Sequence, residues 1–327
     1  MKHHLIIWVG LICLFAAGAG CQKRLDIAIA AEQELVLGGL FWADSIWAVS
    51  VLASENLLAD EASISPVYGA RVHISGSDGE TTLLTLDSTR YNIYFDREPG
   101  VDTLYFFTSD KMPPKAGAQY SIIVEADGFP TLTAFNLVPV KPQVLAADVG
   151  AARLSPDDPT QVSSPSEADF TLTLVDPPSM RNYYQISAYI PFDRTDPVSG
   201  ETSSRLVRVP YTTLDNSAFL VRGTPLVDYV YTDESFDGQE KSLRLTLKYP
   251  FELDDLADKE LRIEVLSLSE AYYNAILSFQ QGQVSNDLAL TGITAFFSEP
   301  LPTFSNVEGG YGVFAGASRQ QFILPIK

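Results

Sequence analysis

The stretch Arg71-Val72-His73-Ile74-Ser75-Gly76-Ser77-Asp78-Gly79-Glu80-Thr81-Thr82-Leu83-Leu84-Thr85-Leu86 decides the fold class. Strand-like runs flank Ser77-Asp78-Gly79-Glu80. Asp-Gly between two such runs suits a tight hairpin turn, because glycine adopts positive φ without a steric penalty. The pattern predicts antiparallel strands at Val72–Ser75 and Thr81–Leu86. His73 falls on the polar parity and reads as a half-exposed strand residue.

The same period of two spreads outward. Glu34 to Phe41 open the first apolar run, and Ile46–Ser54 puts Trp47, Val49 and Val51 on one parity. Further strands are expected at Tyr91–Phe95, Leu104–Thr108, Tyr120–Ala126 and Thr131–Leu137, with a turn at Asp127-Gly128-Phe129-Pro130. Many short strands with no helical stretch among them predict a β-sandwich over residues 34–140, immunoglobulin-like or prealbumin-like in kind. Lys141–Ser166 carries Pro142, Pro156, Pro159 and Pro165 and reads as a linker or long loop. Strands at Phe170–Val175, Tyr183–Ile190, Leu206–Val209 and Leu243–Tyr249 make residues 167–327 a second β-rich domain. It carries one helix at about 268–281. Ser267 and Glu270 have capping-box spacing, Leu268, Tyr272, Ile276 and Phe279 recur at helical period, and Gly282 suits the stop. The fold class is mainly β.

Residues 1–20 are a different kind of sequence. A positive start at Met1–His4, an apolar run at Leu5–Ala17 and Gly18-Ala19-Gly20 lead into Cys21. The run falls short of the ~20 apolar residues of a spanning helix, so it reads as a secretory signal ending in a lipobox, with Cys21 acylated. Residues 21–33 then form a tether. Losing Lys2 with the signal changes the formal charge from -19 to -20. That excess of acid excludes nucleic acid as a partner, since its phosphates need clustered Lys and Arg. Cys13 leaves with the signal, so no disulfide is expected in the mature chain. His73 is the one histidine beyond the signal, which removes the usual zinc and copper ligand sets and leaves no catalytic triad signature.

Three features carry candidate chemistry. Asp233, Glu234 and Asp237 offer hard oxygens that suit calcium, although their spacing is not that of an EF-hand and an acidic turn is the simpler reading. Phe304, Asn306, Glu308, Gly309, Gly310, Tyr311, Gly312 and Phe314 combine backbone freedom with aromatic side chains and form a candidate ligand or partner loop. It lacks the strand–helix context and lysine of a nucleotide loop. Trp42, Trp47, Tyr105, Phe106, Phe107, Tyr183, Tyr184, Tyr229 and Tyr231 read as strand and core residues. With 41 acidic residues they leave open a glycan hydrolase that uses paired carboxylates.

Several segments together resemble the domain-of-unknown-function family 4249 of bacterial envelope lipoproteins. They are Cys21, Leu35-Val36-Leu37-Gly38-Gly39-Leu40, Pro66 to Ile74, Gly117 to Ile122, Phe236-Asp237-Gly238, Ser269 to Tyr273 and, most specifically, Phe304 to Gly316. The resemblance implies an outer-membrane lipoprotein of a Gram-negative envelope, beside a TonB-dependent transporter. It carries over no catalytic residues. The leading expectation is a non-enzymatic, lipid-anchored accessory that binds a ligand or partner, with no cofactor besides the lipid. The alternatives are an envelope glycan hydrolase and a structural or adhesion lipoprotein.

Overall fold

The computed structural model describes residues 33–54, 65–95, 98–155, 166–195, 202–213, 230–290 and 303–327. Cys21, the signal, the tether as far as residue 32, Tyr229 and the prolines at 156, 159 and 165 lie outside the described residues. The described residues belong to one compact unit, Gln33–Glu55 with Ser63–Lys327.

Strand β1 (Leu35–Trp42) pairs antiparallel with β2 (Trp47–Ala53), and β3 (Ser65–Pro66) bridges to β2. Strands β4 (Arg71–Gly76) and β5 (Thr81–Phe95) form the expected hairpin, with Val72 opposite Leu84 and Ser75 opposite Thr81. Gly79 takes φ +85° at the turn, and Asp78 Oδ1 accepts from the Glu80 N–H at 3.1 Å. Strand β6 (Glu98–Ser109) runs along β5, so the segments expected as separate short strands at Tyr91–Phe95 and Leu104–Thr108 are the far ends of one long ribbon. Strands β7 (Gln119–Glu125) and β8 (Leu132–Leu137) complete the order β1-β2-β6-β5-β4-β7-β8.

Alternation puts one parity of each strand inside. Leu35, Leu37, Trp47, Val49, Val72, Ile74, Ile122, Val124 and Leu132 are all buried, each worth roughly 1.5–3 kcal/mol over an exposed position. Trp47 is at the centre: its indole N–H donates to the Met112 carbonyl at 2.6 Å, which satisfies the one polar atom it buries. His73 is exposed on the opposite parity.

The second half begins earlier than the linker reading expected. Residues 143–149 form β9 (Gln143–Val149), and β10 (Arg153–Leu154) follows; both pair with β11 (Ser166–Val175). Then come β12 (Tyr183–Thr195), β13 (Thr202–Arg208), β14 (Tyr211–Thr213), β15 (Val230–Thr232), β16 (Glu240–Tyr249), a 3-10 turn at Asp254–Leu256 and β17 (Glu260–Leu268). Helix α1 (Glu270–Leu290) leads through β18 (Val307–Glu308) to β19 (Tyr311–Pro325). The small sheet β10-β11-β16-β14, with β9 also on β11, faces β13-β12-β17-β19. Phe170, Leu172, Leu245 and Leu247 from one side share a core with Ile186, Ile190, Ile263 and Val265 from the other, which makes this half a second sandwich.

Strand β19 joins the two halves. Tyr311 to Ala317 run parallel to β1, from Val36 opposite Tyr311 to Trp42 opposite Ala317. Ala317 to Pro325 then run antiparallel to β17, from Leu268 opposite Ala317 to Glu260 opposite Pro325. The last strand of the chain therefore finishes the first sandwich and continues as a strand of the second.

The helix differs from its expected form at both ends. Ser267 and Leu268 remain in β17, where Ser267 sits between Tyr184 and Ser318, so the ladder holds them out of the helix. Ser269 caps instead: its Oγ accepts from the Tyr272 N–H at 3.3 Å and its carbonyl from the Tyr273 N–H at 3.0 Å. The helix continues past Gly282 to Leu290, since one glycine costs an α-helix only about 1 kcal/mol. Tyr272 is buried and Ile276 partly so, whereas Phe279 is exposed. Among the described residues, no helix is long and apolar enough to cross a membrane.

Candidate functional site

A cleft of about 800 Å³ opens where the start of α1 meets the end of β8 and the start of β12. Its size is within the range of small-molecule and peptide-side-chain pockets. Phe135 and Leu137 of β8, with Pro139 and Val140 just beyond, form one apolar wall. Met180, Asn182 and Tyr183 also line it, and Ser269, Glu270, Ala271 and Asn274 bring in the first turns of α1. Phe304 and Asn306 complete the lining. Phe135 is 75% exposed and Met180 49%, so the lining meets solvent with large apolar groups.

Most of the polar lining is already engaged. The Arg181 guanidinium pairs with Glu234, and that pairing raises its pKa above the ordinary arginine value. The Asn182 amide donates to the carbonyls of Pro177 and Met180 and to Asp233. Ser269 is spent on the helix cap. Asn136 Oδ1 accepts from the Gly316 N–H at 3.2 Å. Tyr183 packs on Tyr273 at 4.6 Å between ring centroids with the rings tilted, and its hydroxyl pKa is raised chiefly by burial and secondarily by the charge of Glu270.

The candidate loop divides between the cleft and the core. Phe304 and Asn306 line the cleft. Asn306 also clamps its own segment, donating to the Phe314 carbonyl at 2.8 Å and accepting from its N–H at 2.9 Å. Phe314 does not face the cleft: it is fully buried, 4.5 Å from the Phe41 ring centroid. Gly309 and Gly312 have positive φ and press on the Thr131 and Leu37 carbonyls, while Gly310 presses on that of Leu35, so the glycines serve close backbone approach. Glu308 pairs with Thr133 through β18, and Tyr311 is exposed at the start of β19.

The acidic turn is assembled differently from its sequence reading. Asp233 and Asp237 converge with Asp176, which lies far back in the chain, and their carboxylate oxygens come within 4.8 Å of one another. Glu234 turns away to Arg181. Asp176 and Asp233 are buried, Asp237 exposed. Asp176 accepts from the Tyr184 hydroxyl at 2.6 Å and the Gly238 N–H at 2.9 Å. Asp233 accepts from the Asn182 N–H at 2.7 Å, and Asp237 from the Ser179 N–H at 3.0 Å. Burial, followed by the neighbouring Asp233 and Asp237 charges, raises the Asp176 pKa against these stabilising hydrogen bonds. Each carboxylate thus ties a turn together, although the three oxygens have the composition of a hard-cation site.

Sequence reasoning missed the cleft residues Phe135, Met180, Glu270 and Asn274, because they come from segments far apart in the chain. It also missed Asp176, which a single acid after an apolar strand does not announce.

No curated protein matches this sequence. Among solved structures, the chain is similar to the C-terminal domain of the Streptococcus agalactiae AgI/II polypeptide BspA at 11% identity, over 72% of this chain and 95% of that one, with a TM-score of 0.18. It is similar to the BSP domain of a biofilm associated protein at 7% identity, over 89% and 59% of the two chains, with a TM-score of 0.19. The B domain of a biofilm associated protein matches at 7% identity over 88% and 85%, with a TM-score of 0.18. The model of the domain of unknown function DUF4249 matches residues 24–323, and this chain belongs to the DUF4249 family.

Proposed function

We propose that this chain is a lipid-anchored protein of the outer membrane, held by an acylated Cys21, that binds a partner or ligand in the cleft beside α1 as an accessory of a TonB-dependent transporter. The observation that carries the reading is the cleft itself. Phe135 and Met180 leave apolar surface open to water at a concave junction, and such surface marks interaction sites. The lipobox sequence at Cys21 supports the anchor, and the family resemblance supports the transporter partnership. Binding is favoured over turnover because the titratable groups of the lining are Arg181, Tyr183 and Glu270, and the serine hydroxyl beside them, Ser269, is engaged in capping α1.

Co-purification in mild detergent tests the proposal. The wild-type protein is expected to retain a TonB-dependent outer-membrane transporter, and the double variant Phe135→Asp with Met180→Asp to lose it while melting at the same temperature. Failure to retain any such transporter, or equal retention by the double variant, would count against the reading.

A further inference from the structure

The polar groups of the cleft are unevenly used. Arg181 is matched by Glu234, the Asn182 amide is engaged by Pro177, Met180 and Asp233, and the Asn306 amide by Phe314. Glu270, Asn274 and Gln119 line the cleft with no side-chain hydrogen bond or ion pair among the described residues. Glu270 and Asn274 are four residues apart on α1 and so share one face of it. The cleft charge that no ion pair neutralises is therefore negative, in a chain whose formal charge is -19. Beside it stand the open apolar groups Phe135, Val140 and Met180.

Resting on the reading of this cleft as the binding site, we infer that its occupant is an extended peptide segment of a partner protein, with a Lys or Arg side chain on Glu270 and an adjacent apolar side chain against Phe135 and Met180. A carboxylate selects a cation and repels an acid. A carboxamide carries both a donor and an acceptor, the pair needed to meet a peptide group, and Asn274 and Gln119 supply two. Methionine adapts to varied side-chain shapes. A hydrocarbon tail would leave these three polar groups dry and unpaired, which costs binding energy. A neutral ligand would leave the Glu270 charge unanswered.

The test uses the mature chain and three fluorescein-labelled peptides, Gly-Leu-Lys-Phe-Gly and its counterparts with Glu or Gln in place of Lys, followed by fluorescence anisotropy at low salt. The Lys peptide is expected to bind about tenfold more tightly than the Glu peptide. Glu270→Gln should bring the Lys peptide down to the level of the Gln peptide, and Phe135→Ala should weaken all three. Equal binding of the Lys and Glu peptides, a preference unchanged by Glu270→Gln, or no binding to the wild type would each overturn the inference. If the peptides fail while photo-cross-linking from position 135 still captures a partner, only the occupant is wrong; failure of both removes the binding site itself.

Discussion

The Tyr184 hydroxyl donates a 2.6 Å hydrogen bond to Asp176 Oδ1, and both side chains are buried. Tyr184→Phe leaves that carboxylate short of a donor and should lower stability by about 1–3 kcal/mol in urea unfolding. The pH dependence has a definite sign. Burial raises the folded pKa of Asp176, so its contribution is present below the unfolded value of about 4 and is lost as pH rises through the folded value. Asp176→Asn lacks this titration. The stability difference, wild type minus Asp176→Asn, should therefore shift toward the variant as pH rises from about 3 to 7; a difference that stays flat would contradict the assignment.

Calcium should leave the melting temperature unchanged. The three carboxylates of Asp176, Asp233 and Asp237 already accept from Tyr184, Gly238, Asn182 and Ser179, and a cation would have to displace those donors. Calorimetry and thermal melts of chelator-stripped protein check this. Heat on calcium addition, with a chelator-reversible rise in melting temperature, would reinstate the metal site.

Gly312→Ala tests the strand that joins the halves. Gly312 has φ +125°, and a Cβ there would collide with the Leu37 carbonyl across the β1–β19 pairing. The expected loss is about 2 kcal/mol or more. Gly69→Ala is the control, since a Cβ at Gly69 meets nothing within 4 Å, and should change stability by no more than about 0.5 kcal/mol.

Ser269→Ala removes the helix cap and should cost about 1 kcal/mol. If Ser267→Ala instead lowered helical circular dichroism while Ser269→Ala did not, the cap assigned from the structure would be wrong.

Local chemistry was legible in the residues, and long-range pairing was not. Trp47, Val49 and Val51 announced a one-faced strand because side-chain parity is a property of the strand alone, and Asp78-Gly79 announced its turn for the same reason. The partnership of Leu37 with Gly312 joins residues from opposite ends of the chain, and no periodicity encodes it. The glycines near 310 signalled an unusual backbone, but whether they face a ligand or a neighbouring strand depends on Leu35 and Thr131, which pack against them. Ser267 had the correct capping spacing, yet the ladder to Tyr184 and Ser318 outweighed it. Of the candidate loop, Phe304 and Asn306 line the cleft whereas Phe314 fills the core. The rest of the cleft comes from segments that only the fold brings together.

The central claim is that the cleft beside α1 is where a partner docks. Site-specific photo-cross-linking in intact cells tests it most directly, with p-benzoylphenylalanine replacing Phe135 in one strain and the likewise exposed Leu145 of β9 in another. A discrete adduct from position 135 that contains an outer-membrane transporter, diminished by Met180→Asp and absent from position 145, is the predicted result. No adduct from position 135, or the same adducts from both positions, would contradict it.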